Sequence, residues 1–307
     1  MLCILYVIAV GTLLGYAGLL VERVVSGTAQ RRWVWCVVIV LSMALPGFYR
    51  VQHNWSITQT YEEQTAHPPG HAIAAASLNA LNPGLWAQIQ SYDRVINRIW
   101  LYSSALLIVW ALANAGRVWH LVTVSRRRQG ERGAPTVVDG VQVVITDSLG
   151  PATVGLWRAR VLVPRWVLAL PGAQRRYVLR HEEEHRSAND ARLLLIASLT
   201  LILMPWNLAL WWQLRRLRLA VEMDCDTRVV SALGDPTAYG GLLLKVAEAA
   251  NPGPRLQPAF LGGMGSLERR LTALLAPTPL RHIQQFLVPA MAIGLLFLVL
   301  SMPHPIR

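Results

Sequence analysis

His181-Glu182-Glu183-Glu184-His185 is the stretch on which the reading of this chain turns. On a helix, positions i and i+4 lie on one face, so His181 and His185 can bind one metal ion. Two neutral imidazoles suit zinc. Glu182, one residue past the first histidine, can reach a metal-bound water and act as general base. The bland alternative is a polar helix face carrying two solvated histidines. The rest of the chain has to decide between them.

That context is a membrane protein. The chain has 307 residues, of which 53% are hydrophobic and 15% charged, a balance typical of a mixed membrane and globular chain. Apolar stretches long enough to span a bilayer are expected at about 2–21, 33–48, 99–122 and 283–302. The second is short and relies on interfacial Trp33 and Tyr49, and Trp35, Trp100 and Trp119 also fit aromatic-belt positions. The first lacks a basic n-region and a small-residue cleavage site, so it reads as a helix rather than a signal peptide.

Arginine placement sets the orientation. Arg23, Arg31 and Arg32 lie between the first two spans, Arg126-Arg127-Arg128 and Arg132 follow the third, and Arg281 precedes the fourth. These place the first connection and the region 123–282 in the cytoplasm, with both termini and the segment 49–98 outside. Much of the net charge of +12 is explained by arginines near anionic lipid, with an acidic partner protein as the alternative, and it needs no direct nucleic-acid partner. Cys3, Cys36 and Cys225 give no disulfide framework and read as thiols. His53, His67 and His71 read as ordinary loop residues.

The region 123–282 reads as a small α+β unit. Residues 136–146 form a strand-turn-strand pattern around Asp139-Gly140, and 152–156 and 160–163 are two further short strands ended by Pro164. A helix carrying the histidine pair follows Pro171-Gly172. A strand beside such a helix can pair with an extended peptide and hold it over a metal, or it can be an edge that binds nothing.

A catalytic zinc needs three protein ligands and an open position. Glu222-Met223-Asp224-Cys225-Asp226 lies downstream on an apparent helix. The natural assignment is Glu222 on zinc, with Asp226 behind it orienting a ligand histidine. Cys225 and Asp224 are rival ligands. Residues 193–212 form another apolar run, about 30 Å long as a helix. A single crossing there would put His185 and Glu222 on opposite sides of the membrane. Pro205-Trp206-Asn207 breaks the run, which predicts a helix–turn–helix that is buried in the domain or dips into the bilayer and returns.

The ordered blocks resemble the integral-membrane zinc metallopeptidases of the BlaR/MecR antirepressor type. They are Gly150 to Arg158 with Arg160 to Pro164, His181 to His185 with Asp190, Pro205-Trp206-Asn207, and Glu222 to Asp226. The resemblance is best over about 120–282, and the four-span layout also fits. It implies a mainly α membrane protein with about four transmembrane helices and an inserted α+β, gluzincin-like zinc metallopeptidase domain on the cytoplasmic side. The expected division is 1–122 for the first three spans with the outward segment 49–98, 123–282 for the peptidase with a hydrophobic helical hairpin at about 193–219, and 283–307 for the fourth span and tail.

The resemblance also implies Zn2+ held by His181, His185 and Glu222, with Glu182 as catalytic base. It implies a multi-pass protein of the bacterial inner membrane that cleaves itself and inactivates a winged-helix repressor of the penicillinase-repressor type. The sequence departs from the family pattern at Glu183, where an apolar residue is more usual, and it stops five residues after the fourth span, where family members carry a penicillin-binding sensor domain. Related membrane proteases that mature prenylated or misfolded proteins share the zinc logic and match less well. Three residues, Tyr239, Arg228 and His120, are available to stabilise an oxyanion. The contrasting expectation is a non-catalytic membrane signalling or scaffold protein with a structural zinc site, in which Glu182 has no task.

Overall fold

The computed structural model describes residues 2–25, 27–65, 83–130, 136–146, 150–157, 159–250, 264–275, 290–297 and 299. Three long helices come first: α1 (Leu2–Val24), α2 (Thr28–Thr65) and α3 (Pro83–Gly130). Four short strands follow: β1 (Thr136–Val138), β2 (Val141–Thr146), β3 (Ala152–Val154) and β4 (Arg160–Pro164). The remaining elements are α4 (Arg165–Leu168), α5 (Gly172–Ser187), α6 (Asp190–Leu203), α7 (Leu208–Leu233), α8 (Pro236–Ala250) and α9 (Met264–Leu275). The fold is mainly helical.

The strands form one sheet in the order β1-β2-β4-β3. A two-residue turn joins β1 to β2, with Asp139 at φ 49° and Gly140 at φ 83°. Two successive left-handed residues give the tight hairpin turn whose twist matches its strands, and Asp-Gly tolerates that conformation. β2 and β4 run parallel, while β3 pairs antiparallel with β4 and forms the free edge. One face of this sheet packs on α5 through Val143, Val161 and Val163 against Val178 and Leu179, with Val167 and Leu242 completing the cluster.

α5 starts directly after Pro171, whose fixed φ suits a helix entrance. It ends in a reversal at Asn189, which adopts φ 57°. Asparagine is among the few side chains that accept this left-handed conformation. The reversal lets α6 begin at once with Asp190, an acidic residue at the positive end of the helix dipole.

α6 and α7 form a hairpin around Met204–Asn207. Pro205 cannot continue α6, and the Asn207 side chain caps α7 by accepting from the Ala209 N–H at 3.1 Å. The hairpin packs along α1 and α2 in a core that includes Leu14, Trp35, Ile39, Leu201, Leu210 and Leu217. Small residues allow the close approach. A Cβ placed on Gly15 would lie 2.2 Å from the Trp212 ring, and one on Gly11 would lie 3.2 Å from Ala209. A polar tie crosses this core, with Gln213 Nε2 donating to the Gly11 carbonyl at 2.7 Å and to Ser42 Oγ at 3.0 Å.

Two helices among the described residues are long and apolar enough to cross a membrane, Ile4–Val24 and Arg94–Val124. The second lies in α3, which touches β2 and α6 and leaves Leu106, Val109 and Leu112 exposed. Near its start, Trp100 Nε1 donates to the Leu203 carbonyl at the hairpin tip, at 2.8 Å. α2 and α3 both outrun the apolar stretches expected at 33–48 and 99–122. Once a helix is nucleated, each further residue adds a hydrogen bond at little cost, so the polar flanks 49–65 and 83–98 simply extend it. Residues 66–82, with His67 and His71, and most of the expected fourth span at 283–302 lie outside the described residues.

Candidate metal centre

His181 and His185 project from one face of α5, their rings nearly perpendicular at a centroid separation of 4.7 Å. Their Nε2 atoms face each other at 3.2 Å. Glu222, on α7, closes the third corner, with Oε2 3.7 Å from His181 Nε2 and Oε1 3.7 Å from His185 Nε2. The hairpin makes this possible. α7 returns beside α5, so residues nearly forty positions apart in sequence meet on one side.

Both histidines are oriented through their other nitrogen. His185 Nδ1 lies 2.8 Å from Asp190 Oδ2. His181 Nδ1 lies 2.9 Å from the Tyr239 hydroxyl, which itself donates to Asp226 Oδ1 at 2.7 Å. Since that hydroxyl proton is committed to Asp226, Tyr239 accepts from His181 Nδ1–H. The two Nε2 lone pairs and the Glu222 carboxylate therefore point at one another. Such a face wants a positive charge. Burial and the neighbouring His185 charge push the His181 pKa down to about 3, so His181 stays neutral. For His185 burial opposes charging, but the Asp190 hydrogen bond and the Glu222 and Glu182 charges outweigh it and raise its pKa.

The sequence reading gave the orienting position to Asp226. The structure places Asp226 behind Tyr239, 3.6 Å from His181 Nδ1, and places Asp190 directly on His185. Cys225 sits on the opposite side of the His181 ring, its Sγ 3.3 Å from Nδ1 and also 3.3 Å from the His181 carbonyl oxygen. Burial, with the Glu222 and Asp226 charges, raises its pKa and keeps it a thiol. His181, His185 and Cys225 form a possible metal-holding group, with ligand atoms within 4.8 Å of one another.

Three consecutive glutamates have three different surroundings. Glu182 is 6% exposed, and Thr153 of β3 donates to its backbone carbonyl at 2.7 Å and to its Oε2 at 3.1 Å. Burial pushes its pKa up to about 7, against the pull of His185 and Thr153. Glu183 turns outward and pairs with Arg186. Glu184 is held between Arg180 and Arg228.

His181, Glu182, His185 and Glu222 open onto a cavity of about 530 Å³. One wall is β3 with Ala152 and Thr153, and another is apolar, formed by Val178, Leu242, Leu243 and Val246. Arg270 of α9 lines it too, donating to both oxygens of Asp226 at 2.7 Å and approaching Glu222 Oε2 at 3.0 Å.

Of the residues available for an oxyanion, Tyr239 is committed between His181 and Asp226. Arg228 pairs with Glu184 and Asp224, and His120 is exposed on α3. Sequence reasoning missed Arg270, which belongs to no motif and follows Glu222 by 48 residues. It also missed Thr153, although its strand was expected beside the histidine helix.

Paired histidines on one helix, a carboxylate from a second and a buried glutamate thus face one cleft. The chain belongs to the BlaR1 peptidase M56 family, whose profile matches residues 3–274. No curated protein and no solved structure matches the chain.

Proposed function

We propose that this chain is a multi-pass membrane zinc endopeptidase of the antirepressor type. The convergence of His181 Nε2, His185 Nε2 and the Glu222 carboxylate carries the reading, with both Nδ1 atoms already engaged. Tetrahedral zinc with ligands at roughly 2.0–2.1 Å sets its donor atoms about 3.3–3.4 Å apart. The two Nε2 atoms, 3.2 Å apart, sit close to that edge, and each lies 3.7 Å from a different oxygen of the Glu222 carboxylate that faces them. Cys225 is the weaker third ligand, because it faces the Nδ1 side of His181 while His185 faces the Nε2 side.

When bound, zinc supplies Lewis-acid activation of water and of the peptide carbonyl. The chain does the rest. Glu182, with a pKa near neutrality, takes the proton from the attacking water and delivers it to the leaving amine. Thr153 fixes one Glu182 oxygen and leaves the other for the water. The free edge of β3 offers backbone hydrogen bonds to an extended substrate, and the apolar wall receives a hydrophobic side chain.

The packing supports a membrane layout. α1 and α2 meet the hairpin along its length, from Glu22–Arg216 and Arg32–Asp190 near the site to Gly11–Asn207 at the tip. From Asp190 to Leu203 α6 rises about 20 Å, so the hairpin enters roughly two-thirds of a bilayer's hydrocarbon core. Exposed Ile196, Leu199 and Leu203 then face lipid. Arg31, Arg32 and the peptidase region 123–282 sit together on the cytoplasmic side of a bacterial inner membrane, flanked by spans within 1–122 and 283–307. The substrate class is a cytoplasmic protein, a winged-helix repressor or the chain itself.

The test is purified protein in detergent, assayed for zinc and self-cleavage. One zinc per chain in wild type and Glu182→Gln, with cleavage in wild type alone, is expected. Zinc without cleavage in either would favour a scaffold.

A further inference from the structure

Arg270 is the one lysine or arginine lining the cavity among the described residues. Its setting is unusual for a residue that only closes an ion pair. Nε and Nη2 both bond to Asp226, which is 1% exposed and also accepts from Tyr239. That two-pronged contact fixes the guanidinium plane. The remaining nitrogen, Nη1, reaches Glu222 Oε2 at 3.0 Å, on the same face as the paired Nε2 atoms and in the cavity shared with Glu182. A lysine could neutralise Asp226, but it could not grip both oxygens and still aim a donor into the cleft.

Resting on the peptidase reading above, we propose that Arg270 is a catalytic residue: Nη1 donates a hydrogen bond to the scissile carbonyl oxygen as negative charge develops there. In that step Glu182 accepts a water proton, the water oxygen bonds to the carbonyl carbon, and the carbonyl π-pair moves onto oxygen. Collapse returns the pair, breaks the C–N bond, and the amine takes the proton from Glu182. Arg270 stays protonated throughout. Burial disfavours its charge, but the Asp226 and Glu222 carboxylates more than offset this and raise its pKa. A donor held in place before reaction needs no reorganisation when the charge appears, the condition under which such groups contribute most.

The test uses full-length, zinc-loaded protein and two probes. One is the peptide spanning the self-cleavage site mapped in wild type. The other is its phosphinic analogue, a tetrahedral anion in place of the scissile amide. Arg270→Lys is expected to keep one zinc per chain and bind the amide peptide within about 3-fold of wild type. It should bind the phosphinic analogue about 100-fold more weakly and lose kcat by a similar factor. The double variant Arg270→Gln/Asp226→Asn, which removes both buried charges together, covers a failure of the single variant to fold and should show the same split. Wild-type affinity for the phosphinic analogue in either variant would overturn the assignment, as would equal weakening of both probes. Wild type that binds zinc and cleaves while the variants do likewise sinks only this inference. Wild type that does neither sinks the peptidase reading, and this inference with it.

Discussion

Arg32 of α2 donates to Asp190 Oδ1 at 3.2 Å, and the other oxygen of that carboxylate holds His185 at 2.8 Å. A helix of the N-terminal bundle is thus two hydrogen bonds from a histidine of the candidate metal centre. Arg32 also reaches Asp224 Oδ2 at 3.3 Å, to which Thr28 adds a bond on Oδ1 at 3.3 Å. Asp190 and Asp224 are both buried, and Arg32 is a cationic partner of each.

Removing either partner should loosen His185. Asp190→Ala is expected to weaken zinc binding by about 10–100-fold, the usual range for a group behind a metal ligand. Arg32→Gln should weaken it by about 10-fold, with full-length protein still inserted in the membrane. Competition against a chromogenic chelator measures both. Unchanged affinity in Arg32→Gln would show that the link to α2 does not reach the metal centre.

Glu182 predicts a pH dependence in metal-free protein. Its folded pKa, about 7, lies above the ordinary value of 4.5, so between these the folded state holds a proton that the unfolded state has released. Stability therefore falls as pH rises through that window, by on the order of 3 kcal/mol in total. His181 acts in the opposite sense. Neutral in the fold down to about 3, it costs stability as pH falls below 6.5. In EDTA-treated protein the two contributions oppose each other between pH 4.5 and 6.5, so Glu182→Gln should uncover a steeper loss of stability on acidification below pH 6.5 than wild type shows. Thermal unfolding across pH separates the two, and identical profiles for both proteins would contradict the burial account of Glu182.

The bundle makes a separate prediction. Gly15→Ala places a methyl into the Trp212 ring, which also packs on Tyr16 and Trp35. Overpacking of this kind costs about 1–3 kcal/mol, and Trp212→Leu in the same chain should recover part of it. Denaturant titration in detergent reads the difference.

Much of this site was legible because its chemistry is local. The i, i+4 histidines, the Asp139-Gly140 turn and the Pro205 break each depend on a few adjacent residues whose backbone preferences or spacing act alone. Glu222 was read from its place on one helix face with Asp226, and a hairpin at Pro205 supported it by keeping Glu222 on the same side as His185. Arg32, Thr153 and Arg270 were not legible. Each acts through a tertiary contact with a residue between 29 and 192 positions away, and arginine or threonine in a helix or strand carries no local signal of such a task. Asp226 shows the limit well. Its place on the helix was clear, but Tyr239 intervenes between it and His181, and only the packing of α8 on α5 reveals that.

The most direct measurement is zinc-edge X-ray absorption on the purified, zinc-loaded protein. Four nitrogen or oxygen neighbours at about 2.0–2.1 Å are expected, two of them imidazoles, and no sulfur. That signature should survive Cys225→Ala and be lost in Glu222→Ala. A sulfur neighbour at about 2.3 Å would instead place Cys225 on the metal and contradict the His181, His185 and Glu222 centre.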